Sequence, residues 1–129
     1  MKYLPQIAAV LLGLMFVAFS LIYFFNLMSP EPPPEGSPAS MFYGAMAPSG
    51  YFDFIKACEL VGGILVMIPV TRFLGLLILG PIIVNILAFH VFIMGGAGLV
   101  DPILIAIVVL ALFLLCTHAR RLVGTSATK

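Results

Sequence analysis

Long apolar stretches separated by short polar segments form the main pattern along this chain. Residues 6–27 contain no charged side chain, and residues 51–70, 73–94 and 99–117 are three further, mostly apolar runs. A helix needs about 20 residues to cross the hydrocarbon core of a membrane. The pattern therefore predicts an all-α membrane protein, a bundle of four transmembrane helices with about these bounds in a single domain over residues 1–129.

A cleaved signal peptide is the alternative interpretation of the first apolar run. The apolar region of a signal peptide is about 7–15 residues long, and small residues follow it at the cleavage site. The run over residues 6–27 is longer, and residues 26–30 do not fit a cleavage site. The pattern favours a retained helix.

The segment between the first two predicted helices, residues 29–50, has a different composition. Prolines are concentrated in residues 30–38, and proline both lacks the backbone N–H and clashes with the preceding turn of a helix. We expect an extended, solvated loop here. Residues 41–46 are aromatic and apolar, so we expect them at the membrane surface or over the mouth of the bundle.

The composition supports a membrane location and limits the possible partners. Hydrophobic residues make up 63% of the chain and charged residues 9%, whereas roughly a quarter of residues are charged in soluble domains. A chain this short cannot bury so much apolar surface in one aqueous core, so the lipid bilayer is the expected solvent. The net charge of +1 excludes nucleic acid as a partner.

The positions of lysine and arginine predict the orientation, because cytoplasmic loops carry an excess of both. With four crossings, one side of the membrane holds Lys2, Arg72, Arg120, Arg121 and Lys129. The loops on the other side contain acidic residues but neither lysine nor arginine. Both termini are therefore predicted to be cytoplasmic, in a multi-pass protein of the cell membrane, of the prokaryotic inner-membrane type.

Polar side chains inside the second and third predicted helices are the candidate site. An ionisable group in hydrocarbon is costly unless it is paired, hydrated or neutral, so it marks a functional candidate. Lys56 and Glu59 are three residues apart and can form an ion pair on one helix face. At 1.5 Å per residue, Asn85 lies at the depth of Glu59 and His90 about 8 Å nearer the outer face. These four residues form the predicted polar pocket between the two helices.

Each of these residues also has a purely structural interpretation. Glu59 can be neutral and hydrogen-bonded, Asn85 can join two helices, and the amine of Lys56 can extend to the outer interface. His90 can have no role beyond a hydrogen bond to the adjoining loop or to Asp101. The sequence is compatible with both the functional and the structural interpretation of these four residues.

Small residues near the pocket predict close helix packing. Gly62 and Gly63 follow Glu59 by about one turn, and the third predicted helix contains Gly75 and Gly80. Glycine lets helix backbones approach closely in membranes.

Several other chemistries do not fit the sequence. His90 and His118 lie at opposite ends of the predicted bundle, whereas a pair of axial haem ligands needs similar depth. The sequence contains no zinc-protease, phosphate-binding or nucleophile-elbow motif, and no metal site is predicted. Cys58 and Cys116 also differ in depth, which argues against a disulfide. We interpret both cysteines as small apolar residues.

Two stretches carry a family resemblance. The second predicted helix contains Glu59-Leu60-Val61-Gly62-Gly63, and the third contains Pro81-Ile82, Asn85-Ile86 and Phe89-His90 in one ten-residue stretch. The patterns E-L-x-G-G and P-I-x-x-N-I-x-x-F-H resemble the DoxX family of small bacterial and archaeal membrane proteins over about residues 51–94. The long proline-rich loop departs from a typical member.

The resemblance implies a four-helix membrane bundle linked to redox or sulfur metabolism, because the family is named after a subunit associated with a thiosulfate:quinone oxidoreductase. The first candidate function is thus a redox-linked subunit that binds a quinone or a similar lipid-soluble molecule. Glu59 and His90 could supply its protons, and Lys56 or Asn85 could donate hydrogen bonds.

A non-catalytic accessory subunit of a larger membrane complex is the alternative function. The small size of the chain favours it, and residues 29–50 are the candidate docking element for other subunits. A transporter or channel is a third class, but only one predicted crossing carries charge beyond its first turn and we find no internal repeat.

Overall fold

The computed structural model describes residues 3–28, 31–96 and 98–127, with the backbone alone from residue 121. This part of the chain is all helical. Its five α-helices are α1 (Leu4–Phe24), α2 (Pro38–Met46), α3 (Tyr51–Met67), α4 (Arg72–Ala88) and α5 (Pro102–Ala127). A 3₁₀ turn over Pro69–Thr71 joins α3 to α4, and a π-helical turn over Phe89–Ile93 extends α4.

Three segments of the described chain are long and apolar enough to cross a membrane: Leu4–Phe24, Pro69–Ile93 and Pro102–Arg120. They contain α1, α4 with its flanking turns, and most of α5. The predicted second crossing corresponds to α3, which is shorter, at 17 residues, and contains charged residues. The structure therefore shows a helical membrane protein with three helices able to span.

The four longer helices form a ring. α3 packs against α1 and α4, and α5 packs against the same two helices from the other side. Neighbours run antiparallel, since Gln6 near the start of α1 bonds to Arg72, whereas Tyr23 near its end bonds to Asp53. The start of α1 and the α3–α4 turn thus share one end of the ring, which we call the basic end. Residues 25–28, 31–50 and the described part of the α4–α5 turn share the other, the acidic end.

Glycines allow the helices to pack closely. A Cβ atom on Gly13 of α1 would lie 2.5 Å from the carbonyl oxygen of Gly63 on α3. A Cβ atom on Gly75 of α4 would lie 2.5 Å from the backbone nitrogen of Val66. The close approach predicted from Gly63 and Gly75 is thus confirmed, whereas a Cβ atom on Gly80 would meet open space.

The segment predicted as a loop contains α2. The Ser37 hydroxyl oxygen accepts a hydrogen bond from the Ser40 N–H at 3.1 Å, and Pro38 takes the first helical position. Both are helix-start features, and they end the proline-rich stretch.

Aromatic contacts hold α2 over the acidic end of the ring. The ring centroids of Phe42 and Phe89 are 5.0 Å apart, and those of Tyr43 and Phe52 are 5.3 Å apart. This agrees with the position over the bundle mouth predicted for residues 41–46. At the basic end, α5 continues beyond the predicted limit at residue 117 to Ala127.

Candidate functional site

The charged face of α3 lies against α1. Asp53, Lys56 and Glu59 recur every three residues and so share one side of the helix. The Tyr23 hydroxyl of α1 donates a hydrogen bond to Asp53 Oδ1 at 2.8 Å. The Lys56 ammonium lies 5.8 Å from the centroid of the Tyr23 ring. The observed partners of this face therefore come from the first helix of the chain, whereas the sequence predicted partners on the third crossing.

Lys56 and Glu59 form the predicted ion pair. Lys56 Nζ lies 3.0 Å from Glu59 Oε2, and their side chains are 29% and 6% exposed. A buried carboxylate without a partner would carry a large desolvation cost, which the ammonium group offsets. Because Lys56 is partly exposed, the pair connects the interior of the ring with its surface.

Ser20 on α1 carries a fully buried hydroxyl with no hydrogen-bond partner in the described part of the chain. One turn before Ser20, Phe16 packs against Gly63, and one turn after it Tyr23 contacts the first two turns of α3. Ser20 therefore faces α3 at about the level of Glu59. Buried hydroxyl groups nearly always have a partner, so this one marks an unused hydrogen-bonding position.

These side chains make one polar cluster between the uncharged α1 and the charged face of α3. We define the α1–α3 polar cluster by five residues: Ser20, Tyr23, Asp53, Lys56 and Glu59. It runs from the acidic end of the ring inward. It contains groups that exchange protons and groups that donate hydrogen bonds. Such a cluster can hold the polar part of a ligand and pass protons between it and water.

Asn85, a member of the predicted pocket, lies outside this cluster. Its side chain is exposed on the outer surface of the ring, near the exposed Val84. α4 turns Leu79 and Ile83 toward the core, and at 100° per residue Asn85 lies about 200° around the helix from Ile83. The predicted depth of Asn85 was therefore not enough to place it in the pocket, because its side chain points to the outer surface of the ring.

His90, the fourth predicted residue, also has other contacts. Its ring Nδ1 is 2.8 Å from the carbonyl oxygen of Ile86 on the preceding turn. Its backbone carbonyl accepts a hydrogen bond from the Gly96 N–H at 2.7 Å, and the ring packs against Gly98. His90 thus joins the π-helical turn to the α4–α5 turn. This contact with the adjoining loop is the structural interpretation of His90 given above.

Arg72 has a role that its loop position in the sequence did not reveal. The side chain is buried, and its Nε donates a hydrogen bond to the Val66 carbonyl at 2.9 Å. The guanidinium group also bonds to the Met67 carbonyl and to Gln6 Oε1 of α1. Arg72 therefore caps the end of α3 and holds it against α1. A basic residue directly after a helix end was the available signal.

Two surface depressions lie away from the cluster. An apolar groove of about 240 Å³ between α3 and α4 is lined by Phe54, Ala57, Cys58, Val61 and Ile78. A cleft of about 330 Å³ at the acidic end is lined by Glu31, Pro33, Pro34, Ser37, Ala39, Tyr43, Ile93 and Met94. The groove faces outward from the ring, and the cleft lies beneath the proline-rich segment.

Comparison with known proteins identified no relative of this chain. The chain matches no protein-family model, no curated protein and no solved structure at a significant level. The α1–α3 polar cluster is therefore the feature of the chain that bears most directly on its function.

Proposed function

We propose that the chain is a multi-pass membrane protein with four crossings, of which α3 is the second. Its 17 residues span about 26 Å at 1.5 Å per residue, which is near the lower limit for a crossing helix. The charged face of α3 lies against α1, which buries Glu59 and covers most of the Lys56 side chain. Arg72 and Arg120 lie near the basic end, and this supports a cytoplasmic position for that end and for both termini.

Within this arrangement we infer that the chain is a DoxX-like, redox-linked subunit whose α1–α3 polar cluster binds a quinone-type molecule. The observation that carries this proposal is the buried Glu59 carboxylate at the level of the unpartnered Ser20 hydroxyl. A quinone carbonyl needs hydrogen-bond donors, and Ser20 and Lys56 provide them.

Proton supply is the second requirement of quinone chemistry. Reduction of a quinone to a quinol takes up two electrons and two protons. Glu59 and Lys56 lead toward the Tyr23–Asp53 hydrogen bond near the acidic end, so protons have a route from water. The electrons would come from a partner oxidoreductase, which is the association that the DoxX resemblance implies.

A non-catalytic accessory subunit is the second candidate. The specific observation in its favour is that Lys56 and Glu59 satisfy each other, and so do Tyr23 and Asp53. Such bonds hold membrane helices together without any ligand. The cleft beneath the proline-rich segment would then be the docking position for another subunit.

Binding of a photoreactive quinone analogue to the protein in lipid nanodiscs separates the two candidates. The quinone proposal predicts saturable labelling of α1 or α3, competed by unlabelled quinone, with affinity at least about tenfold lower for Glu59→Gln, a loss of about 1.4 kcal/mol. Glu35→Gln, which removes an exposed carboxyl group, is the matched control and should bind normally.

Two results would reject the quinone proposal. Labelling that no excess quinone competes away would show that no binding site exists. Normal binding by Glu59→Gln would show that the buried carboxyl group has no part in it. The accessory role would gain support if Glu59→Gln folded normally but no longer co-purified with a membrane complex that the wild-type protein joins.

A further inference from the structure

Asn85 presents an amide group on the outside of the ring at membrane depth. The span Pro69–Ile93 has its midpoint at residue 81, so Asn85 lies about 6 Å from the middle of the span. The side chain is exposed, and it makes no hydrogen bond within the described residues. Hydrocarbon provides no water for an amide. Asn85 therefore needs a hydrogen-bond partner from outside this chain.

The apolar groove between α3 and α4 lies beside this amide. Gly62 of α3 packs against Leu79 of α4, and the two helices are antiparallel. Asn85 lies six residues from Leu79 toward the acidic end. Residues 54–58 of α3 lie about six residues from Gly62 in the same direction, so they are at the depth of Asn85. Phe54 and Cys58 line the groove at that level. One turn before Asn85 on the same face of α4, Pro81 is also exposed.

We propose that this surface joins two copies of the chain in the membrane, with their Asn85 amides hydrogen-bonded to each other. Copies inserted in the same direction are related by an axis along the membrane normal, so each residue and its counterpart lie at equal depth, and residues on the axis meet. A carboxamide carries both a donor and an acceptor, so two Asn85 side chains satisfy each other. Pro81 of one copy packs into the groove of the other.

Membrane helices use this kind of contact. Asparagine side chains bond across helix interfaces in lipid, and small or concave surfaces let the backbones approach. An acyl chain would fill the groove but would leave the amide without a partner. The inference rests on Asn85 and the outer groove, not on the α1–α3 polar cluster, so it holds or fails independently of the quinone proposal.

Energy transfer between donor-labelled and acceptor-labelled copies in lipid vesicles tests the proposal. The wild-type protein should transfer energy in a way that depends on the protein-to-lipid ratio. Asn85→Leu should raise the ratio needed for half-maximal transfer at least about tenfold, and Asn85→Gln should retain most of the association because it keeps the amide. Leu112→Ala, at an exposed position on α5, is the control and should associate normally.

The two native cysteines give an independent test of geometry. Cys58 lies in the groove, whereas Cys116 is exposed on α5. With a membrane-permeable oxidant, Cys116→Ser/Pro81→Cys protein should cross-link as a dimer between Cys58 of one copy and the introduced cysteine of the other, and the same protein with Cys58→Ser should not. Circular dichroism of each variant confirms that it is folded.

Three outcomes would overturn the inference. The first is wild-type protein that shows no energy transfer at any protein-to-lipid ratio. The second is unchanged association of Asn85→Leu. The third is folded Cys116→Ser/Pro81→Cys protein that does not cross-link, which would place the contact on another face of the ring.

Discussion

At the scale of single residues, Arg72 determines how α3 meets α1. Its guanidinium group bonds to the last carbonyls of α3 and to Gln6. These carbonyl groups have no partner within their own helix, and a membrane interior offers little water to replace one. The same side chain therefore completes the end of α3 and sets its position along α1, which aligns Ser20 with Glu59.

Replacement of Arg72 by methionine should destabilise the protein by about 2–3 kcal/mol, because the carbonyls of Val66 and Met67 lose a charged donor. The free energy of unfolding in a denaturing-detergent titration measures this loss. Arg120→Met removes an exposed arginine near the same end and should change stability by less than about 0.5 kcal/mol. Equal losses in both variants would contradict the buried capping role.

The Lys56–Glu59 pair should be more costly to break than to remove. Lys56→Met leaves a buried carboxyl group without its cation and should cost about 1–3 kcal/mol, less than for a fully buried pair because Lys56 is partly exposed. The double variant Lys56→Met/Glu59→Leu should recover most of that loss. The same detergent titration measures both, and additive losses would argue against a direct interaction.

The sequence predicted some of these residues well and others poorly. The Lys56–Glu59 pair follows from spacing along one helix, so no tertiary information was needed. Ser20 and Tyr23 were missed because they belong to an uncharged helix, and their role depends on which helix packs against α3. Asn85 was assigned to the pocket by depth, but its direction depends on the rotation of α4, which the apolar pattern does not determine when nearly every position is apolar.

At the scale of helices, three of the four predicted crossings correspond to segments able to span the membrane. Length and hydropathy are sufficient to predict such segments from the sequence. The bounds of α3 were close to those predicted, but at 17 residues with charged side chains it is not among the segments able to span by length and hydropathy. α2 was not predicted, because the prolines before it indicated a loop, and the Ser37 cap with Pro38 restarts the helix within that segment.

Two glycines on α4, one in contact with α3 and one not, provide a matched pair of substitutions. Gly75→Ala should destabilise the protein by about 1–3 kcal/mol, because the added methyl group would meet the backbone of α3 and force the helices apart. Gly80→Ala adds the same methyl group in open space and should be neutral or stabilise by up to about 1 kcal/mol. Detergent unfolding of both variants measures the difference, and the opposite order would contradict the packing.

At the scale of the whole molecule, the ring separates charge between its two ends. Arg72 and Arg120 lie at the basic end, and Glu31, Glu35 and Asp101 belong to the segments of the acidic end. The charged face of α3 lies against α1, where Glu59 is buried. This arrangement explains how a short, charged helix can lie among three apolar ones, and the proposed four-crossing topology predicts that α3 crosses the membrane with them.

The side of the membrane on which the α3–α4 turn lies is the most direct test of this account. Single cysteines at Val70, which is 93% exposed in that turn, and at Glu35, in the proline-rich segment, can be introduced after both native cysteines are changed to serine. With an impermeant maleimide and sealed vesicles of known orientation, we expect Val70→Cys to react only from the cytoplasmic side and Glu35→Cys only from the opposite side. Reaction of both from the same side would show that α3 does not cross the membrane.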